Sequence, residues 1–303
     1  MRLVLLLIYF YHQLAGTFKI PVMKVTLLAI SLASILIFSA SCNNSQNDKN
    51  KTEMKDSTQV PASANIKTDS ISWKSDGQTY IGFVAYNKNV EGKRPAILVV
   101  PEWWGLNNYT KRRAKQLAEL GYLAMAIDMY GDGKTAANPD EAQQLTTPYY
   151  KDPALAKARV DAAIAQLKNF PQTDTSKMAA IGYCFGGFVV LNAAKLGADL
   201  KGVVSFHGGL TGVKPDKNLL KAKILVCHGG ADEFENPHVE EFKKQMDSIG
   251  ADYTFKVYPN ASHAFSNPDA TATGEKFNMP IRYNEAADTA SWNDMKDFFK
   301  KLF

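Results

Sequence analysis

From about residue 67 to the end of the chain, short apolar runs alternate with amphipathic stretches. Alternating positions at 70–73 and 80–86, on either side of Ser75-Asp76-Gly77, predict two strands joined by a turn. Ala96-Ile97-Leu98-Val99-Val100 is apolar at every position, as a strand covered on both faces must be. Helical spacing follows at 109–120 and stops at Gly121, and a further apolar run at 123–127 predicts the next strand. Leu155, Val160, Ile164 and Leu167 recur at helical intervals within 153–170. Strands at 178–183, 203–206, 224–227 and 253–257 then alternate with helices at 187–195 and 237–249, and an amphipathic helix at 286–303 closes the chain. Doubly covered strands separated by helices imply an α/β fold, a mostly parallel central sheet with helices on both faces. Residues 131–150, with Gly, Asn, Pro and polar side chains, predict an irregular insertion after a strand, either a cap over a site or a plain surface loop.

Ahead of this domain the pattern changes. Apolar runs occupy 3–10 and 25–40, and the second ends in small residues at Ser39-Ala40-Ser41-Cys42. Met23-Lys24, the apolar run and the small residues together make an export signal. The segment resembles a bacterial lipoprotein signal, with Ser39 where the usual pattern has Leu, and that resemblance implies lipidation of Cys42. An uncleaved N-terminal membrane anchor is the competing reading. Met23 is a candidate start in place of Met1, because the second run is a complete signal without the first. Residues 43–66 are polar and cannot bury enough surface to offset chain entropy, so they predict a disordered tether. The expected organisation is a signal at 1–42, a tether at 43–66 and a folded domain at 67–303. The expected location is the periplasm or cell envelope, with the domain tethered to a membrane.

Composition narrows the function by exclusion. The apolar share of 46% allows a large core. The net charge of +5 comes from 35 basic and 30 acidic residues, but Arg2, Lys19 and Lys24 precede Cys42, which leaves 32 against 30 beyond it. No basic stripe with interleaved aromatics is present, so nucleic-acid binding is not expected. The three cysteines, Cys42, Cys184 and Cys227, form neither a disulfide framework nor a metal-ligand spacing. No metal or organic cofactor is implied.

The most informative run is Ala179-Ala180-Ile181-Gly182-Tyr183-Cys184-Phe185-Gly186-Gly187-Phe188. A strand enters, a Gly-x-Cys-x-Gly-Gly turn follows and a helix leaves, which is the nucleophile elbow of the α/β-hydrolase fold with cysteine as nucleophile. Gly182 and Gly186 fit a turn so sharp that strand and helix nearly touch. The helix N-terminus favours thiolate over thiol at Cys184. A buried structural cysteine beside a glycine-rich turn is the bland alternative. In this fold an acid and then a histidine follow the nucleophile along the chain. The loop His228-Gly229-Gly230-Ala231-Asp232-Glu233 follows a strand and offers Asp232 as orienting acid, with Glu233 second. Asp232 would otherwise cap the helix near Pro237. Of the five histidines, His263 alone lies in a loop after the last strand and is the candidate base. His207 and His228 follow earlier strands and could line the site or merely bind nearby loops.

With these residues in place the chain resembles the dienelactone hydrolase family over about 67–303. The resemblance rests on Pro101-Glu102-Trp103-Trp104-Gly105-Leu106, Asp128-Met129-Tyr130-Gly131, the Cys184 elbow, Gly229-Gly230-Ala231-Asp232 and His263-Ala264-Phe265. It implies that Glu102 lies beside the nucleophile and controls its ionisation, and that the N–H groups of Trp103 and Phe185 form an oxyanion hole. Trp103 and Trp104 are candidate pocket walls. The family's founding enzymes hold a substrate carboxylate with two arginines, and the matching places here carry Asp132 and Asn267, so a diene-lactone acid is not the expected substrate. In this fold the strands of Cys184 and Cys227 are separated by one other, roughly 9–10 Å, too far for a disulfide, which needs Cα atoms within about 7 Å. The resulting expectation is a monomeric hydrolase of a small ester, lactone or thioester with a Cys184–His263–Asp232 triad. The rival readings are a binding protein that keeps the fold without turnover and a thiol redox protein.

Overall fold

The computed structural model describes residues 64–303. The signal at 1–42 with Cys42, and the tether as far as residue 63, lie outside the described residues. β1 (Ile66–Ser75) and β2 (Gln78–Asn87) pair antiparallel about Asp76-Gly77, both at positive φ. β2 also pairs antiparallel with β4 (Leu123–Ile127). Next to β4 stand β3 (Arg94–Val100), β5 (Thr173–Tyr183), β6 (Gly202–Phe206), β7 (Lys223–Gly229) and β8 (Tyr253–Tyr258), all parallel. The order across the sheet is β1-β2-β4-β3-β5-β6-β7-β8.

Helices cover both faces, as the alternation of patterns requires. α3 (Pro153–Lys168), α4 (Phe185–Lys195) and α5 (Val239–Ser248) share one core with Leu98, Val100, Ile127 and Val226. α1 (Asn108–Glu119) and α7 (Glu285–Leu302) share the other with Ile97, Val99, Ile181 and Val204. Successive residues of β3 therefore feed opposite cores, and each of these side chains contributes about 1.5–3 kcal/mol by leaving water. No helix among the described residues is long and apolar enough to cross a membrane.

Three expectations are corrected. Residues 131–150 are not wholly irregular: α2 (Pro139–Lys151) occupies most of them. Asn138 accepts the Glu141 N–H at 3.0 Å, Glu141 reaches back to Ala137 N–H at 2.9 Å, and Pro139 sits at the first turn. This is a reciprocal cap worth about 1 kcal/mol, and Pro148 inside the helix had masked it. β5 begins at Thr173, ahead of the apolar run, because the polar stretch still pairs through its backbone with Arg94. A helix not foreseen, α6 (Ala270–Phe277), lies beyond β8. Its Gly274 disguised it, yet the missing side chain is what lets the carbonyls of Met279 and Ile281 approach.

Candidate active site

Five strands of the parallel part end in polar residues on one edge of the sheet. β3 leads to Glu102, β5 to Cys184, β6 to His207, β7 to Asp232 and β8 to His263. Crevices at the carboxyl ends of parallel strands are where this architecture places ligands.

Cys184 sits at φ 52° and ψ −115°, a conformation that costs a non-glycine residue about 1–3 kcal/mol. The surroundings hold it there. Its N–H is shared between Phe206 O at 3.0 Å and His207 Nδ1 at 3.1 Å. A side chain on Gly182 would overlap the backbone of Gly186, and one on Gly186 would overlap the carbonyls of Val100 and Pro101. The carbonyl of Cys184 accepts the N–H of Gly187 at 2.9 Å and of Phe188 at 3.2 Å. In a trans peptide the Phe185 N–H then points the opposite way, out of the N-terminus of α4. The same reasoning applies at Trp103: the Glu102 carbonyl accepts Gly105 N–H at 3.0 Å, which turns the Trp103 N–H away from that turn. Tyr130 Oη donates to Trp103 O at 2.8 Å and steadies the segment.

The sulfur of Cys184 lies 3.0 Å from His263 Nε2, and His263 Nδ1 lies 2.8 Å from Asp232 Oδ2. Asp232 is fully buried, and its other oxygen accepts the N–H groups of Phe234 and Glu235 at 3.1 and 3.2 Å. The same carboxylate thus meets the imidazole and ties its own turn, so the two sequence readings of Asp232 are not exclusive. Glu233 is exposed. Burial alone disfavours a charged His263 ring. Negative charge on the Cys184 sulfur and the Asp232 hydrogen bond outweigh it and hold the imidazole pKa well above its ordinary value. A proton on His263 is therefore strongly retained while the sulfur is anionic.

Glu102 is buried, and Asn267 Nδ2 donates to its Oε2 at 2.7 Å. Burial pushes its pKa up to about 7, opposed by the Asn267 bond and by His263 and Arg113. Of the two places where the resembled family carries arginine, Asn267 is occupied with Glu102 and Asp132 lies exposed at φ 56°. Cys227 is a fully buried thiol one strand away from β6, pushed up to about 12 by burial, and neither it nor Cys184 is in a disulfide.

Sequence reasoning ranked His207 low and passed over Ser266, Tyr109 and Glu235. His207 is fully buried at φ 40°, and burial together with the neighbouring His263 pushes its pKa well below the usual value. It stays neutral: Nδ1 accepts the Cys184 N–H, so the proton is on Nε2, which donates to Ser266 Oγ at 2.8 Å, itself 2.8 Å from Tyr109 Oη. The available signal was Gly208-Gly209, since small residues after β6 let Gly187 and Ser205 pack against that turn. His228 instead pairs with Asn236 Oδ1 at 2.8 Å.

Cys184, His263 and Glu102 open on a cavity of about 220 Å³. Trp103, Trp104, Tyr150, Phe234, Met279 and Ile281 make its apolar walls, and Glu102, Cys184, Glu235 and His263 its polar ones. Tyr150 belongs to α2, whose Tyr149 and Tyr150 pack on Phe185. The corrected helix is therefore part of the site wall. Among the described residues no group of His, Cys, Asp and Glu is arranged to hold a metal ion.

The dienelactone hydrolase family model matches residues 81–303. The chain belongs to the dienelactone hydrolase family. A relative from Methylorubrum extorquens, named by inference as a carboxymethylenebutenolidase, is 29% identical over 223 residues, 69% of this chain and 73% of its own. One from a Bradyrhizobium species, named by inference as a 2-oxo-3-(5-oxofuran-2-ylidene)propanoate lactonase, is 28% identical over 77% of this chain and 94% of its own. Among solved structures, a dienelactone hydrolase-like promiscuous phosphotriesterase from metagenomic libraries superposes with a TM-score of 0.74 at 32% identity, covering 79% of this chain and 99% of that one. The fold is accordingly the α/β-hydrolase fold of dienelactone hydrolases, and the protein is a hydrolase of that kind.

Proposed function

We propose that this dienelactone hydrolase family member cleaves a small ester, lactone or thioester through a covalent acyl-enzyme on Cys184. The observation that carries the reading is the unbroken line from the Cys184 sulfur to His263 Nε2, at 3.0 Å, and from His263 Nδ1 to the buried Asp232, at 2.8 Å. The thiolate attacks the carbonyl carbon, and the Trp103 and Phe185 N–H groups receive the oxyanion. His263 gives its proton to the departing alcohol or thiol, then draws one from water, which attacks the thioester and releases the acid. Glu102, held neutral or ionised near pH 7, sets the charge beside the sulfur. The relatives named as lactonase and carboxymethylenebutenolidase support a cyclic ester among the substrates. The export-type N-terminus supports a domain tethered to a membrane in the cell envelope through Cys42.

A screen of short-chain aryl esters, lactones and thioesters, with parallel alkylation of Cys184, tests the reaction. Turnover that vanishes on alkylation and in Cys184→Ala is expected. A Cys184→Ala variant as fast as the parent would overturn the mechanism. Metabolic labelling with a palmitate analogue, lost in Cys42→Ala, tests the tether.

A further inference from the structure

We propose that Glu235 makes the cavity selective for esters carrying a positively charged ammonium group, and that it turns carboxylate-bearing substrates away. The proposal rests on the hydrolase reading of the site and adds the substrate class. Glu235 reaches the cavity from the turn after β7, the turn that Asp232 ties by accepting the Glu235 N–H. Its Oε2 accepts the Leu210 N–H at 2.9 Å, which fixes the carboxylate in place. Its Oε1 accepts no hydrogen bond among the described residues and faces Gly209, where an added Cβ would stand 3.7 Å away. Gly209 also lines the cavity, so the absent side chain leaves that oxygen open to a guest.

The rest of the wall suits the same guest. The aromatic side chains of Trp103, Trp104, Tyr150 and Phe234 line the space, and no lysine or arginine among the described residues lines it. Arg113 stands behind the site with its guanidinium committed to Asp288 and the Ser266 carbonyl. The positive charge of a protonated His263 is matched by Asp232. A substrate carboxylate would thus meet Glu235 with no partner, whereas an ammonium would meet a fixed carboxylate oxygen among aromatic side chains, the kind of environment that recognises such cations.

Thiol labelling reads this selectivity without requiring turnover. Cys184 attacks the sulfenyl sulfur of a methanethiosulfonate, forms a mixed disulfide and expels methanesulfinate. The full chain is treated with three reagents carrying trimethylammonium, methyl or sulfonate ends. Rates are normalised to a free thiol, and any signal from Cys42 is subtracted with Cys184→Ala. The expected result is a cationic-to-neutral ratio of about five- to twentyfold in the parent, with the anionic reagent below the neutral one. In Glu235→Gln, which keeps an acceptor for Leu210 but has no charge, the ratio should fall toward one. A parent ratio at or below one overturns the proposal. So does a Glu235→Gln variant with an unaltered ratio, or with rates lowered equally for all three reagents. Selective labelling without any ester hydrolysis would instead sink the hydrolase reading and leave the charge selectivity standing.

Discussion

The loops after β6 and β8 each deliver a buried histidine to Cys184, and the two rings lie 5.4 Å apart nearly edge to face. They bond different parts of the cysteine: His263 meets the sulfur through Nε2, and His207 meets the backbone N–H through Nδ1. The far nitrogen of His263 faces the carboxylate of Asp232, whereas that of His207 faces the hydroxyl of Ser266. Burial disfavours charge on both rings; at His263 the negative charge of the Cys184 sulfur and the Asp232 hydrogen bond outweigh it and raise the pKa, whereas at His207 burial and the neighbouring His263 lower it. What a buried histidine can do is set by the charges it meets at both ring nitrogens. In this site one imidazole is equipped to carry a proton, and the other to hold the strained backbone without adding a second positive charge.

The sharpest break of this comparison is a pair of variants. His263→Ala should lower kcat/KM for a responsive aryl ester by about 10⁴-fold, the scale of losing a base that acts as a unit with its nucleophile. His207→Leu should lower it by only about 10- to 100-fold and should cost on the order of 1–3 kcal/mol of stability, because Ser266 loses a partner. His207→Asn, whose side-chain oxygen can stand where Nδ1 stood, should recover part of both. Equal losses at the two positions, measured by steady-state kinetics, would erase the distinction. Next in size, Asp232→Asn should cost about 10²- to 10⁴-fold by leaving His263 in the wrong tautomer. It should also lower the raised imidazole pKa in an NMR titration, leaving the part due to the Cys184 sulfur, and a His263 resonance titrating as before would show that Asp232 only ties its turn.

The smallest effect concerns the second buried carboxyl group. Glu102 is raised from the usual 4.5 to about 7, so the folded state binds more protons than the unfolded state between those values. Stability should therefore be greatest below pH 4.5 as far as this group is concerned, and should decline as pH rises to about 7, by on the order of 3 kcal/mol. Glu102→Gln should flatten that decline in denaturant titrations run across the interval. A parent and variant with parallel profiles would mean that Glu102 is ionised in the fold at little cost.

Much of this was legible in the chain because the relevant signals are local. The apolar run of β3, the Gly-x-Cys-x-Gly-Gly turn and the glycine-bounded Asp232 each lie within a few residues, and backbone geometry alone demands small residues at Gly182 and Gly186. α2 was missed because Pro148 and a polar composition hide a helix whose cap is reciprocal and whose tyrosines find their apolar partners on α4, far along the chain. His207 was ranked low and Glu235 missed for a related reason. A histidine after a strand or a glutamate in an acidic loop has no distinctive spacing, and its meaning comes from which backbone N–H and which cavity it meets.

Periodicity and turn chemistry thus decided by themselves that this chain folds as a doubly covered sheet with a thiol at a strained bend, since both depend on neighbours along the backbone. Only the tertiary structure decided which imidazole is equipped to hold a proton, that Asn267 is committed to Glu102 in place of a substrate clamp, and that Glu235 keeps an oxygen open to the cavity. Protonation and specificity depend on burial and on partners distant in sequence, and those exist only once the strands are side by side.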